Sequence, residues 1–330
     1  MSGAFPWLVA DIGGTNARFG WIAGPEQPVA HVRVLPVTAH RSPADAAKAY
    51  LAQLAELESI AVVPRCAAFA VATAIDGDQV ELTNAHWSFS RAQTQAELGL
   101  DLLLLLNDFE ALALSLPRLT HDQLRYWQPA PSVAHPPIHA LAVIGPGTGL
   151  GVAGVAPWGG GWLALPGEGG HATLAAGDDF EAALLAHVRR DFEHVSAERL
   201  LSGIGMPVLH GAVAQVLGGA LAQPLTTESI VERAISGQDP VCERTIDAFC
   251  ALLGSFAGNV ALTLGSRGGV YVGGGIVPRL GERFFASQFR ARFEAKGRFR
   301  SYMQGIPTAL ITDTLAALAG AAQAIGQHRD

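Results

Sequence analysis

Apolar positions along this chain alternate between short runs and helical stripes. Residues 8–11 read as a short buried strand and residues 17–22 as a second, with Ile12-Gly13-Gly14-Thr15-Asn16 between them. Two strands about a glycine turn predict a hairpin. Ser42-Pro43 predicts a helix start, and Ala47, Tyr50, Leu51, Leu54 and Leu57 then follow at helical spacing. Residues 66–72 and the fully apolar, all-leucine run 102–106 predict strands, the second of them buried. A helix is predicted from about Phe109 to near Pro117.

Residues 118–139 break the pattern with prolines, histidines and glutamines, and mark a lobe boundary or a long loop. The plan then repeats: a strand at 140–144, the turn Gly145-Pro146-Gly147-Thr148-Gly149-Leu150-Gly151, and a strand at 152–156. Helical patterns cover 178–193, 196–201, 227–236 and a long stretch from Asp239-Pro240 to Gly265. A strand at 270–272 enters Gly273-Gly274-Gly275; a strand at 310–312 and a helix at 315–325 finish the chain. Alternating strands and helices give an α/β class. One glycine-turn hairpin opening each half predicts a duplicated architecture with a ligand cleft between the halves.

Composition narrows the chemistry. The 330 residues are 49% hydrophobic and 15% charged, enough for a large core in about two domains. A net charge of −7 argues against nucleic acid as the main partner. Cys66, Cys242 and Cys250 form no CxxC pair, which predicts neither a disulfide scaffold nor a cysteine zinc site and fits a reducing cytoplasm. Neither a signal pattern nor a membrane span is expected; the most apolar stretch, 98–116, is broken by Asp101, Asn107, Asp108 and Glu110. Only Lys48 and Lys296 are lysines, and neither sits in a Walker A loop, in a kinase-type strand or at a Schiff-base position. There is no GxSxG.

A nucleotide would therefore have to be held by backbone N–H groups, a metal ion and arginines. Glycine turns suit that task, because the backbone approaches an anion closely where there is no Cβ. Three such turns each follow an apolar strand: 13–16, 145–151 and 273–275. Thr15, Asn16 and Thr148 add short donors. Asp11 would face the phosphates, which makes sense with Mg²⁺ between them. Asp108 is either a helix N-cap or a general base at a strand's carboxyl end. Glu168 and His171, in Leu165-Pro166-Gly167-Glu168-Gly169-Gly170-His171, sit in a glycine-flanked loop whose ordering costs entropy, and that points to a ligand. Glu198 is either favoured by the dipole of a helix capped by Ser196 or part of a sugar pocket. Trp87 is a candidate border of that pocket. The run Arg290, Arg292, Lys296, Arg298 and Arg300 reads as a solvated helix face.

Taken together, these motifs resemble the bacterial glucokinase family of the sugar kinase/Hsp70/actin superfamily. The resemblance runs through Asp11 to Arg18, Thr83-Asn84, Asn107-Asp108-Phe109, Gly145 to Gly151, Leu165 to His171, His194-Val195-Ser196-Ala197-Glu198-Arg199, and Gly273 to Arg279. It implies an actin-like, ribonuclease H-like ATPase fold. A small lobe would comprise 1–117 plus 312–330 and a large lobe 118–311, with homodimers common. It implies ATP-dependent phosphorylation of the glucose 6-hydroxyl, the first step of glycolysis. Asp108 would be the base, with Asn84, Asn107, Glu168, His171 and Glu198 on the sugar hydroxyls. Asp11, Gly13, Gly14, Thr15, Asn16, Gly147, Thr148 and Gly149 would hold the phosphates, and Gly274 and Gly275 would lie near the adenosine. The partners implied are glucose and ATP with Mg²⁺, without nucleic acid or membrane. Two other readings remain open at this stage: a kinase for another hexose or amino sugar, and a non-catalytic sugar or nucleotide sensor.

Overall fold

The structure, a computed structural model, describes residues 5–82, 86–127, 138–219 and 223–328. The chain separates into two compact units. One runs to Leu119 and takes in Trp158–Pro166 and the segment from Asp313; the other is Thr120–Pro157 and Gly167–Thr312.

In the first unit the strands are β1 (Trp7–Ile12), β2 (Asn16–Ile22), β3 (Ala30–Pro36), β4 (Cys66–Val71), β5 (Gln79–Glu81), β6 (Ser88–Ser90) and β7 (Leu102–Asn107). The main sheet has the order β3-β2-β1-β4-β7, and β5 pairs with β6 apart from it. β1 and β2 form the predicted antiparallel hairpin, while β4 and β7 run parallel to β1. Ile12 pairs with Val71 and Val71 with Asn107, so the carboxyl ends of three parallel strands finish side by side. β7 is the outermost strand, and of its five leucines only Leu103 and Leu106 are buried. The expected burial is met only in part because an edge strand has no neighbour on one side.

The helix Pro43–Leu57 begins where the sequence predicts, with the Ser42 hydroxyl accepting from Asp45 N–H at 3.1 Å. The helix Asp108–Ser115 follows β7 directly. The helix Ala316–Gln327 packs along it through Gly320, where a Cβ would collide with the Ala111 carbonyl. Leu8, Phe19, Tyr50, Leu54 and Phe69 fill this unit's core. Trp87 belongs to that core: it is 1% exposed and donates its indole N–H to the His40 carbonyl.

The remaining strands are β8 (Leu124–Tyr126), β9 (Leu141–Pro146), β10 (Leu150–Trp158), β11 (Gly161–Gly167), β12 (Gly269–Val272) and β13 (Thr308–Ile311), in the order β11-β10-β9-β12-β13-β8. β9 and β10 are antiparallel, and β9, β12 and β13 are parallel. Matching β1 to β9, β2 to β10, β4 to β12 and β7 to β13 shows the same strand plan twice, which is the duplication the two hairpins predict.

The helix Pro240–Leu264 forms the centre of the second core, with Phe249, Leu252, Leu253 and Ala257 fully buried. Asp239 caps it by accepting from Val241 N–H and Cys242 N–H, and Gly265 ends it at φ +61°. Its length and composition would suffice to cross a membrane, but most of its apolar surface is inside this core.

Two expectations are corrected in this unit. Residues 196–201 form successive tight turns instead of a helix, because Ala197 N–H and Glu198 N–H bond across to the Ala172 and Gly170 carbonyls. The basic run is a solvated face only in part: Arg298 and Arg300 are exposed as expected, whereas Arg290, Arg292 and Lys296 are held by the fold. Arg290 bonds Glu294, Thr308 and the carbonyls of Met303, Gln304 and Ile306, and Lys296 bonds Ser255 O and Asn259 Oδ1.

Candidate functional site

In the first unit, chemistry collects at the aligned strand ends. The turn between β1 and β2 closes with Gly13 N–H donating to the Asn16 carbonyl at 3.0 Å, and Val37 N–H donates to the Thr15 carbonyl at 2.9 Å. Gly14 and Thr15 are left at the tip of the turn. Asp11, at the end of β1, lies 3.7 Å from Arg18, whose guanidinium also donates to the Thr314 carbonyl at 2.6 Å. Burial pushes the Asp11 carboxyl above its ordinary range, and the Arg18 charge opposes that only in part. A cation would relieve this desolvation.

At the end of β7, Asn107 is the N-cap: its side-chain oxygen accepts from Phe109 N–H at 2.9 Å, and its amide donates to the Thr73 carbonyl at 3.1 Å. Asp108 is the first helical residue, with one carboxylate oxygen 3.0 Å from Phe109 N–H. The capping role considered for Asp108 therefore belongs to its neighbour. Asn84 lies outside the described residues.

In the second unit, the turn between β9 and β10 closes in the same manner, with Gly147 N–H donating to the Gly149 carbonyl at 2.9 Å. Glu168 follows β11, and Gly169–His171 makes one turn of 3₁₀ helix, so the loop is more regular than its composition implies. The structure brings three predicted side chains together. His171 Nε2 is 3.8 Å from Glu168 Oε2 and 3.9 Å from Glu198 Oε1. Glu168 and His171 are exposed, whereas Glu198 is mostly enclosed and accepts from Leu150 N–H through Oε2 at 2.8 Å. A Cβ at residue 149 would collide with that oxygen, so the turn admits the carboxylate only because it is glycine.

Gly274, at φ +78°, turns the chain after β12. Gly273 N–H and Ile276 N–H donate to the Ile144 and Pro146 carbonyls, which sets this third turn beside the second. The sequence reading did not foresee the adjoining cavity of about 510 Å³, lined by Thr148, Gly203, Ile204 and Leu225 among others. Beyond Thr148 no motif marks it, because its walls come from three separate segments. Among the described residues, no three His, Cys, Asp or Glu side chains cluster as a metal cage. Asp11 offers the single carboxylate with which an Mg²⁺ ion that keeps waters and takes phosphate oxygens would be held.

Comparison with known proteins agrees with this geometry. The glucokinase family model matches residues 8–328. The chain is 48% identical to a glucokinase of Aromatoleum aromaticum and 45% identical to one of Neisseria meningitidis, each over 98% of this chain and 96% of the relative. It superposes with TM-score 0.88 on a glucokinase from an Antarctic psychrotroph, at 36% identity, covering 98% of this chain and all of the other. With the fold duplicated as predicted and the polar cluster assembled, the chain belongs to the glucokinase family.

Proposed function

We propose that this protein transfers the γ-phosphoryl group of ATP to the 6-hydroxyl of D-glucose, yielding glucose 6-phosphate and ADP. The observation that carries the reading is His171 within 4 Å of both Glu168 and Glu198 beside a glycine turn. Carboxylates and an imidazole present the acceptors and donors that sugar hydroxyls need. The family resemblance adds Asn84, Asn107 and Asp108 as proposed sugar ligands.

Phosphoryl transfer runs through a loose transition state, so the protein's task is positioning and charge stabilisation. Asp108 orients the 6-hydroxyl and takes its proton late, which an ionised carboxylate at a helix start does well. That proton moves from O6 to Asp108 as the O6–phosphorus bond forms and the bond to the ADP oxygen breaks. Backbone N–H groups around Gly14-Thr15 and Thr148-Gly149 stabilise the equatorial phosphate oxygens. Mg²⁺, held by Asp11 directly or through water, would neutralise charge on the phosphates. The cavity beside Thr148 is of a size to take the nucleoside, and Gly274 and Gly275 border the same region.

The family resemblance supports a homodimer working in glycolysis. The burial of Cys66, Cys242 and Cys250 fits a reducing cytoplasm. Release of ADP is to be measured with Mg-ATP and each of glucose, mannose, fructose, N-acetylglucosamine and N-acetylmannosamine. Turnover with glucose far above the rest is the expected outcome. Preference for another sugar would overturn the substrate assignment, and folded protein that binds ATP yet turns over no sugar would overturn the reaction.

A further inference from the structure

Glu198 has two oxygens with different partners. Oε1 faces His171 in the polar cluster, and Oε2 accepts from Leu150 N–H at the end of the glycine turn. The residues that follow return to the same turn. Gly203 N–H donates to the Gly147 carbonyl at 2.7 Å and Ile204 N–H to the Thr148 carbonyl at 3.3 Å. Residues 198–204 thus hold the turn at both ends. Ser202, fully buried, stiffens this segment by donating to the Glu198 carbonyl at 2.7 Å and accepting from Gly205 N–H at 3.0 Å. Thr227 holds its far end through a 2.5 Å bond to the Gly203 carbonyl, and Gly203, Ile204 and Thr227 all line the cavity. Polar cluster, glycine turn and cavity are joined by one short, hydrogen-bonded strap.

We propose that this strap couples the sugar site to the nucleotide site, with Glu198 as a positioning residue for the phosphate turn as well as a sugar ligand. The inference rests on the assignment of Glu168, His171 and Glu198 to the sugar. A sugar hydroxyl engaging Oε1 redistributes the carboxylate's hydrogen bonding, and the change reaches Leu150 N–H through the same group. Coupling of this kind is reciprocal: glucose raises nucleotide affinity by the factor by which nucleotide raises glucose affinity. A continuous chain of bonded groups is the physical route such coupling needs, and its energy must be measured to establish it.

The test is binding of Mg²⁺ and the non-hydrolysable analogue AMPPNP in the complete absence of sugar, followed by calorimetry. A residue that serves only the sugar would leave this affinity untouched. Glu198→Ala strands Leu150 N–H and is expected to weaken binding by about tenfold, the usual effect of losing a charged hydrogen bond. Glu198→Gln keeps an acceptor for that N–H and should bind within about twofold of the wild type. Wild-type affinity in Glu198→Ala would overturn the proposal. Ser202→Ala, which touches neither ligand, should bring the ratio of AMPPNP affinities with and without glucose toward one; an unchanged ratio would also overturn it.

Should either variant fail to fold, the wild-type protein decides. Glucose alone should shift the amide resonances of Gly147 and Gly203, which lie beyond Glu198 along the strap, and their silence would overturn the coupling. Failure of the catalytic assignment reads out separately, as absent ADP release with glucose.

Discussion

Asp108, the proposed base, is positioned by a neighbour's side chain. Asn107 takes the capping position and ties itself to the Thr73 carbonyl, so Asp108 starts the helix without having to cap it. Replacing Asp108 by Asn keeps shape and removes the base. Glucose binding should stay within about threefold of wild type while kcat falls by about 10²- to 10⁴-fold, the range for loss of a positioned general base. Equilibrium binding and initial rates on the same preparation check this, and wild-type-like turnover would remove the role. Asp11 makes a second case. Its carboxyl is raised by burial and only partly offset by Arg18, so its charge is best supported by a cation. Asp11→Asn is expected to raise the Mg-ATP KM by about tenfold, a charge contact being worth about one to three kcal/mol, with the glucose KM little changed. A rise confined to the glucose KM would contradict the assignment. The place of both residues at strand ends was legible in the sequence, because a polar residue ending an apolar run is a local signal. The Glu198–Leu150 bond was not, since residues 48 positions apart carry no shared pattern.

At the scale of elements, the base-bearing helix is supported by the last helix of the chain. Gly320 permits the contact, because any Cβ there meets the Ala111 carbonyl and the backbone beside Ser115. Gly320→Ala must push the two helices apart. It should cost about 1–3 kcal/mol, as overpacking does, and lower kcat together with the thermal midpoint. An unchanged midpoint with unchanged kcat would show that the helices separate without consequence. In the second unit, Arg290 uses its guanidinium to hold three carbonyls, Thr308 and Glu294. Arg290→Ala leaves those groups unpaired and should destabilise the protein by about 3 kcal/mol, measured by urea denaturation. The sequence marked this run as basic and read it as solvated. Charge along a helix is visible in a sequence, but which carbonyls fold back against it is not. The helix Met206–Val216 and the strand β11 were missed for a related reason: Pro207 and the paired glycines Gly159-Gly160 read locally as breaks, yet one begins a helix and the other turns a hairpin.

For the molecule as a whole, pH reports on its buried groups. His210 is 1% exposed, contacts Cys242 at 3.5 Å, and is held below its ordinary pKa of 6.5 by burial, with Arg233 reinforcing and Asp239 opposing. The unfolded chain therefore binds this proton first as pH falls. Stability from neutral His210 is complete above about pH 6.5 and is lost as pH drops from there toward the lowered folded value. The raised carboxyls of Glu110 and Glu181 act with opposite sign, their desolvation cost being relieved as they protonate. Urea midpoints at pH 7.5 and 5.5 should differ less in His210→Gln than in the wild type; equal differences would remove His210 as the source. The sequence by itself determined the α/β class, the duplicated hairpins, and the helix starts at Ser42 and Asp239. These rest on local physics: strand and helix periodicity, caps, and glycine where backbone must approach an anion. Tertiary structure alone decided that Asn107 and not Asp108 caps its helix, that residues 196–201 stay in turns, and that Glu198 reaches the phosphate turn. Each of those depends on hydrogen bonds between segments distant in sequence, whose partners exist only once the chain has folded.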